Sequence, residues 1–547
     1  MNKFSKKLLT ALVSTVLIVA MLAACSSAKN ENNPVASPAA ASTATPDSVQ
    51  ATSTPMPQVT LTTIGVSPAG LDPLINGDMA NTLYNKELIK RTGVTLKYTM
   101  TTNEDYDTKL NLLISSGDAP DFFGMPSNYP GGVDKALQDG LIVDLSKYLD
   151  SDLPNLKALL DSNPEWKKAA MTDSGAMIGF PNIKESKAAN VFAGAMIRKD
   201  LLDKVNLPVP ETIEEWHTAL TEFKKIGVKN PFTALNWFPY YSGDFAGAFG
   251  ANGPGYSIIL DLNGKPAYGP IVPGYKDYLA TMHQWYEEGL IDPDFVTLQD
   301  WDVLNTKMTS GQSAATVMFL SRILTYTNEG KKTDPNFEMI AAPHPVLQKG
   351  DTPYLGQVDP VVTPLIAVNA NSKNLKDVLR YWDYRYSPEG ILLSNFGIEG
   401  ESYTLDASGN PQYTDLILAA PTNSKGWTQA QAMGMYVAVD GNTPTVQLDG
   451  YFDQSKLTTD AQKDAVAKWS NEAVSTLYPN VTFNDAELET LKKLTDIETY
   501  ATEMTAKFIL GSEPMDNFDK YVEHVKSMGI DQILAAEQSA LDRYNSR

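Results

Sequence analysis

Leu112-Leu-Ile-Ser-Ser-Gly-Asp-Ala-Pro-Asp-Phe-Phe123 ends one structural element and begins the next. Upstream, Tyr106, Leu110 and Leu113 share one face of a helix expected over Asp105–Ser116, and Gly117 stops it. Downstream, Pro120-Asp121-Phe122-Phe123 opens a strand expected over Phe122–Met125. Moving back, Val94 to Met100 alternates apolar and polar residues, as a half-buried strand does. Before that, Ala80, Tyr84 and Leu88 recur at i, i+4 and i+8. They predict a helix from about Asn81 that Gly93 ends. Val59-Thr-Leu-Thr-Thr-Ile-Gly65 alternates again and opens the folded part. Strand, helix, strand, helix, strand is the rhythm of an α/β domain with a largely parallel sheet.

Helical stripes continue through the chain. Thr212 and Glu215 have capping-box spacing ahead of Trp216, Leu220 and Phe223, and Gly227 closes that helix. Leu375, Val378, Leu379, Trp382 and Tyr386 form a second apolar face, with Pro388 beyond it. Phe518, Tyr521, Val525 and Met528 form a third, stopped by Gly529. Trp216, Trp285, Trp382 and Trp469 lie on such stripes and are expected in the core. Asp173-Ser-Gly, Asp261-Leu-Asn-Gly and Asp406-Ala-Ser-Gly sit between strand-like runs. None continues to a full twelve-residue calcium loop, so hairpin turns are expected.

The chain has 547 residues, 43% hydrophobic, with 25 Tyr, 18 Phe and 8 Trp, which is enough to build a large core. Its amino terminus has Lys3, Lys6 and Lys7, an apolar run from Leu8 to Leu22, and then Ala23-Ala24-Cys25. Charged region, apolar region and small residues read as a secretory signal peptide over 1–24. Residues 26–57 are mostly Ser, Ala, Thr, Pro and Asn without aromatic residues, Leu or Ile, so 25–57 is expected to be a tether. Formal charge is −21; without residues 1–24, which carry three lysines and no acid, it becomes about −24. Such a chain is repelled by nucleic acid and by anionic lipid. Cys25 is the sole cysteine, so no internal disulfide forms.

The small-small-Cys ending resembles the lipobox of bacterial lipoproteins. That implies cleavage before Cys25, diacylglyceryl on its sulfur and anchorage to the outer face of the cell membrane. LLISSGDAPDFF at 112–123 resembles a segment of the family 1 extracellular solute-binding proteins of ABC transporters. Further matches follow in family order: Gly140–Tyr148, Ala176–Pro181, Met196–Leu202, Gly289–Phe295, Met308–Thr316 and Asn395–Tyr403. The carboxyl-terminal run from Lys507 to Tyr544 is similar to a large-bodied, LplA-like subset of these lipoproteins. The resemblance implies a two-lobed periplasmic-binding-protein-like fold of type II. Each lobe would be a mixed, mostly parallel sheet flanked by helices, with extra helices at the carboxyl terminus. The expected division is 58–187 plus 328–388 for lobe 1 and 188–327 plus 389–547 for lobe 2. It also implies a monomeric receptor for a carbohydrate, in particular an oligosaccharide, with ABC permease subunits as partners.

An enzyme was the competing class. His217, His283, His344 and His524 form no zinc motif, and no nucleophile elbow or P-loop appears. Abundant carboxylates leave a glycosidase pair open. The reading is no enzyme, no cofactor and no metal, with a glycan-processing enzyme or a sensor-feeding receptor as alternatives. Sugars present apolar faces to aromatic rings and hydroxyls to carboxylates, amides and Arg. Such residues are expected in loops after strand ends, facing the crevice between lobes. The candidates are Asn76, Asp78, Asn128, Tyr129, Trp237, Tyr240, Arg322, Asp359, Glu399, Tyr403 and Trp427.

Overall fold

The computed structural model divides the chain into Met1–Pro55 and Met56–Arg547. It describes residues 58–547 apart from 69, 127–128, 130–131, 186–190, 192, 237–243, 256, 356–360, 420–422, 439–443, 471–473, 476–477 and 480. Cys25, the expected signal peptide and the expected tether therefore lie outside the described residues.

Two four-stranded sheets organise the unit. In the first, the order is Val446–Gln447, Phe180–Lys184, Val362–Val368 and Phe122–Gly124. In the second, it is Met339–Ala341, Ala193–Arg198, Ser313–Phe319 and Asn230–Phe232. Each sheet is mixed, because one strand runs against the rest: Val362–Val368 in the first and Ala193–Arg198 in the second. The opening strand, Val59–Val66, pairs in parallel with Val94–Thr101. Asp121 ties this pair to the first sheet. Its carboxylate accepts from the Thr62 amide at 2.7 Å, Thr62 Oγ1 at 2.8 Å and Ser372 Oγ at 2.6 Å.

The helices begin and stop where the sequence signals them. Thr82 caps Leu83–Thr92 by accepting from the Asn85 amide, and Gly93 ends it at φ 71°. The capping box of Thr212 and Glu215 starts Ile213–Lys225, whose Trp216, Leu220 and Phe223 are buried. All four stripe tryptophans are at most 2% exposed. The Asp261 and Asp406 turns join paired strands as hairpins. The Asp173 turn does not: it is closed within Thr172–Ala176, and its carboxylate serves a distant helix.

Two cores follow the two sheets. The first includes Leu61, Phe122, Phe180, Ile183, Val368 and Trp382. Alternation along the same strands sends Ile64, Phe123 and Ala367 to the opposite face. A third cluster joins Leu71, Ile75 and Met79 to Phe396, Tyr413, Tyr436 and Tyr451. It shares Tyr98, Ile398 and Leu448 with the first core. The second core gathers Trp216, Phe245, Trp285, Val317 and Met339, and the helices over 494–545 pack on it through Phe508, Tyr521 and Ile533. This corrects the expected division. Met339–Ala341 pairs inside the second sheet, whereas Phe396, Tyr413, Ile417, Tyr436 and Val446 pack with the first lobe. Register and side-chain contacts decide the membership of these short segments, and neither is visible in hydrophobic periodicity.

Candidate functional site

Strand direction locates the candidate site. Phe180–Lys184 and Val446–Gln447 are parallel and end side by side, level with Val362, where the antiparallel strand begins on the far side of Phe180–Lys184. Phe122–Gly124 runs the same way, since it too opposes Val362–Val368. In the second sheet, Asn230–Phe232 and Ser313–Phe319 are parallel, and Phe319 pairs with Ala193. Residues 185–192 connect the carboxyl end of Phe180–Lys184 directly to Ala193. The carboxyl edges of both sheets are therefore joined by one short link. The chain crosses between lobes twice more from the same edges: through 342–361, and through the helix Asp449–Lys456. In that helix Tyr451 enters the third cluster and the adjacent Phe452 enters the second core. The Asp449 amide donates to Glu185 Oε2 at 2.9 Å, which binds the first and third crossings together. A crevice outside the carboxyl ends of strands is where open α/β sheets take ligands.

The second lobe brings Trp301, Phe319 and Arg322 to this edge. Trp301 stacks on Phe319 at 5.5 Å with an interplanar angle of 13°. The Arg322 guanidinium lies 5.4 Å from the indole centroid and has no carboxylate partner among the described residues. Trp301 and Phe319 are half-buried. Sequence reasoning selected Arg322 and missed both rings. Trp301 is the first residue of a helix capped by Asp300, and Phe319 ends a strand, so neither falls in a loop-like run. Lys456, at the end of the crossing helix, also lacks a carboxylate partner among the described residues, and surrounding protein lowers its pKa.

The other candidates distribute as follows. Asn76 and Asp78 are exposed; Asn76 adopts φ 52° at a helix end, and Asp78 accepts from the Ala80 amide at 2.9 Å as a cap. They flank Ile75 and Met79, which belong to the third cluster together with Tyr403, and Trp427 packs against it. The structure thus brings Asn76, Asp78, Glu399, Tyr403 and Trp427 into one neighbourhood. Tyr403 is only 5% exposed, with its ring 5.9 Å from Phe396, so it is a packing residue. Tertiary packing against the third cluster, not its polar neighbours, sets its direction. Glu399 is exposed, and the Asn423 side chain donates to the Trp427 carbonyl at 2.7 Å. Tyr129 donates to Asp139 at 3.0 Å, which raises the phenol pKa. Arg322 lies in the other lobe. Asn128, Trp237, Tyr240 and Asp359 lie outside the described residues.

Two cavities accompany these elements. One, about 40 Å³, lies among Phe232, Leu235, Phe245, Met282 and Ile509 and is too small for a sugar. The other, about 510 Å³, is lined by Glu211, His344, Asp351, Thr352 and Lys468 along the approach to the second crossing. No described group of three or more His, Cys, Asp or Glu is placed to hold a metal ion.

Residues 77–391, more than half the chain, match the family described as bacterial extracellular solute-binding protein. The chain belongs to that family. A curated relative of this solute-binding protein is the fructooligosaccharide ABC transporter substrate-binding protein FusA of Streptococcus pneumoniae. It is 25% identical over 87% of this chain and 89% of its own. The polygalacturonan/rhamnogalacturonan-binding protein YtcQ of Bacillus subtilis is 23% identical over 83% and 87%. Among solved structures, S. pneumoniae FusA in complex with kestose superposes with a TM-score of 0.71 at 21% identity, covering 89% of this chain and 100% of that one. The alginate-binding protein AlgQ2 gives 0.69 at 24% identity, with 89% and 99% covered. The solute-binding protein therefore has the two-lobed type II periplasmic-binding-protein fold. Among its described residues, no helix is long and apolar enough to cross a membrane.

Proposed function

We propose that this solute-binding protein is a lipid-anchored extracytoplasmic receptor that captures an oligosaccharide between its lobes and delivers it to an ABC importer. The observation that carries the reading is the convergence of both carboxyl edges on three chain crossings, with Trp301, Phe319 and Arg322 at the second lobe's edge. Stacked rings suit the apolar face of a sugar, and a guanidinium with no carboxylate partner among the described residues suits its oxygens in two-pronged hydrogen bonds. The carbohydrate-binding names of FusA and YtcQ support the same cargo class. The anchor rests on Cys25 and its flanks, and the permease partner on the family. Ligand contacts made by both lobes favour the closed state over the open one, which is the expected cycle.

A thermal-shift screen of the chain lacking residues 1–25, against neutral and acidic oligosaccharides, monosaccharides and peptides, tests this. A ligand at 100 times its Kd stabilises the native state by about 2.7 kcal/mol. One glycan class should shift the melt and be recovered intact, and Trp301→Ala should weaken its binding by roughly tenfold, the cost of about one stacking contact. A shift with peptides alone refutes the sugar assignment. A glycan recovered cleaved favours an enzyme. Intact binding with no uptake defect on deletion favours a receptor feeding a sensor.

A further inference from the structure

The last helix, Ile530–Asn545, has one end in each lobe. Ile530 and Ile533 are fully buried in the second core. At the other end, Arg543 Nε donates to Asp173 Oδ2 at 2.6 Å, and Arg547 bonds Asp173 Oδ1. Arg547 also donates to the carbonyl of Met171, and the Lys168 ammonium sits 4.6 Å from the Tyr544 ring centroid. Lys168, Met171 and Asp173 belong to the first lobe, where Met171 and Met177 pack on its core. Arg543 is held from behind: Glu487 accepts from its Nη1 at 2.8 Å and its Nη2 at 2.6 Å, and the Thr482 carbonyl accepts at 2.9 Å. The Asp173 amide donates to Thr482 Oγ1 at 3.2 Å. Side-chain exposure is 17% at Asp173, 14% at Arg547, 9% at Glu487 and 34% at Arg543, so the carboxylates and Arg547 are largely shielded from water while Arg543 stays partly open to it.

The clamp lies along the chain from the crossings. Val474–Ser475 pairs with Tyr354–Leu355 of the second crossing, and Thr482 follows a few residues on. A contact that joins the two lobes apart from their connecting crossings is an additional tie between them and restrains their relative motion. We propose that the Asp173–Arg543–Arg547 clamp makes the carboxyl-terminal helix a strap across the hinge. It limits how far the ligand-free lobes open, and so sets the fraction of closure-competent protein from outside the cleft.

The test uses the chain from Met56, which forms one compact unit and contains no cysteine. Nitroxides at Leu112→Cys and Leu262→Cys, exposed sites in the first and second lobes, report the interlobe distance by double electron–electron resonance without ligand. In Arg543→Gln/Arg547→Gln the distribution should broaden and move outward by about 3 Å, the arc of a ten-degree opening on a domain-sized arm. Hydrogen-exchange protection around Ile533 should persist. An unchanged distribution overturns the strap. So does loss of protection along the whole helix, which would show that the clamp only seats the helix on its own lobe. If the double variant fails to fold, Asp173→Asn carries the same two expectations. Because no ligand is used, the result is independent of the oligosaccharide reading.

Discussion

Gly194→Ala should loosen the second sheet at the strand where the first crossing enters it. An added Cβ would lie 2.3 Å from Trp469 Cε2, 2.5 Å from Nε1 and 2.6 Å from Cδ2, whereas ordinary contact begins near 3.4 Å. The indole must therefore retreat by about 1 Å. It is fully buried, and its Nε1 donates to the Ala342 carbonyl at 2.9 Å. Overpacking costs about 1–3 kcal/mol. A displaced, unpaired indole N–H adds about 1–3 kcal/mol. The expected loss is about 3 kcal/mol, read as a lower urea midpoint by circular dichroism and as faster hydrogen exchange in Ala193–Arg198. In a Trp469→Leu background the ring is absent, so adding Gly194→Ala should cost less than about 0.5 kcal/mol, because the coupling is pairwise. A Gly194→Ala variant as stable as the parent, or one whose cost is the same in both backgrounds, would refute the reasoning.

Asp121→Ala removes the acceptor that joins the opening strand pair to the first sheet, leaving the Thr62 amide and Ser372 unpaired; a loss of about 2–4 kcal/mol is expected in urea melts, with Asp121→Asn milder. Asp134 has its pKa raised to about 6 by burial and then by the charges of Asp173 and Asp485. A raised carboxyl favours the protonated folded form, so its contribution is fully present below its unfolded value near 3.8 and is lost as pH rises through 6. Asp134→Asn should flatten the stability profile between pH 4 and 6; a variant whose profile overlays the parent's contradicts this. Cys25→Ser should abolish incorporation of labelled fatty acid and release the protein from the membrane, whereas continued lipid labelling would dismiss the anchor.

Much of the fold was legible along the chain. The strand at Val59, the capping box at Thr212 and the four core tryptophans depend on neighbours within a few residues, and local sequence controls those. The candidate site was legible only in part. Arg322 was picked out, but its partner Trp301 opens a helix and meets Phe319 only because a strand end returns beside it. Tyr403 sits in a polar run, yet packing against Phe396 and its neighbours places it in a core.

Sequence by itself determined the lipobox-like pattern of the amino terminus, the α/β rhythm and the family resemblance, because each is carried by residue types at fixed short spacing. Only tertiary structure decided lobe membership. Met339–Ala341 joins the second sheet through backbone hydrogen bonds, which any sequence can make, and Phe396, Tyr413, Ile417 and Tyr436 join the first lobe by packing. The same holds for Asp173, a turn residue in sequence that 370 positions later meets Arg543, since nothing in local pattern records a contact closed by the path of the whole chain.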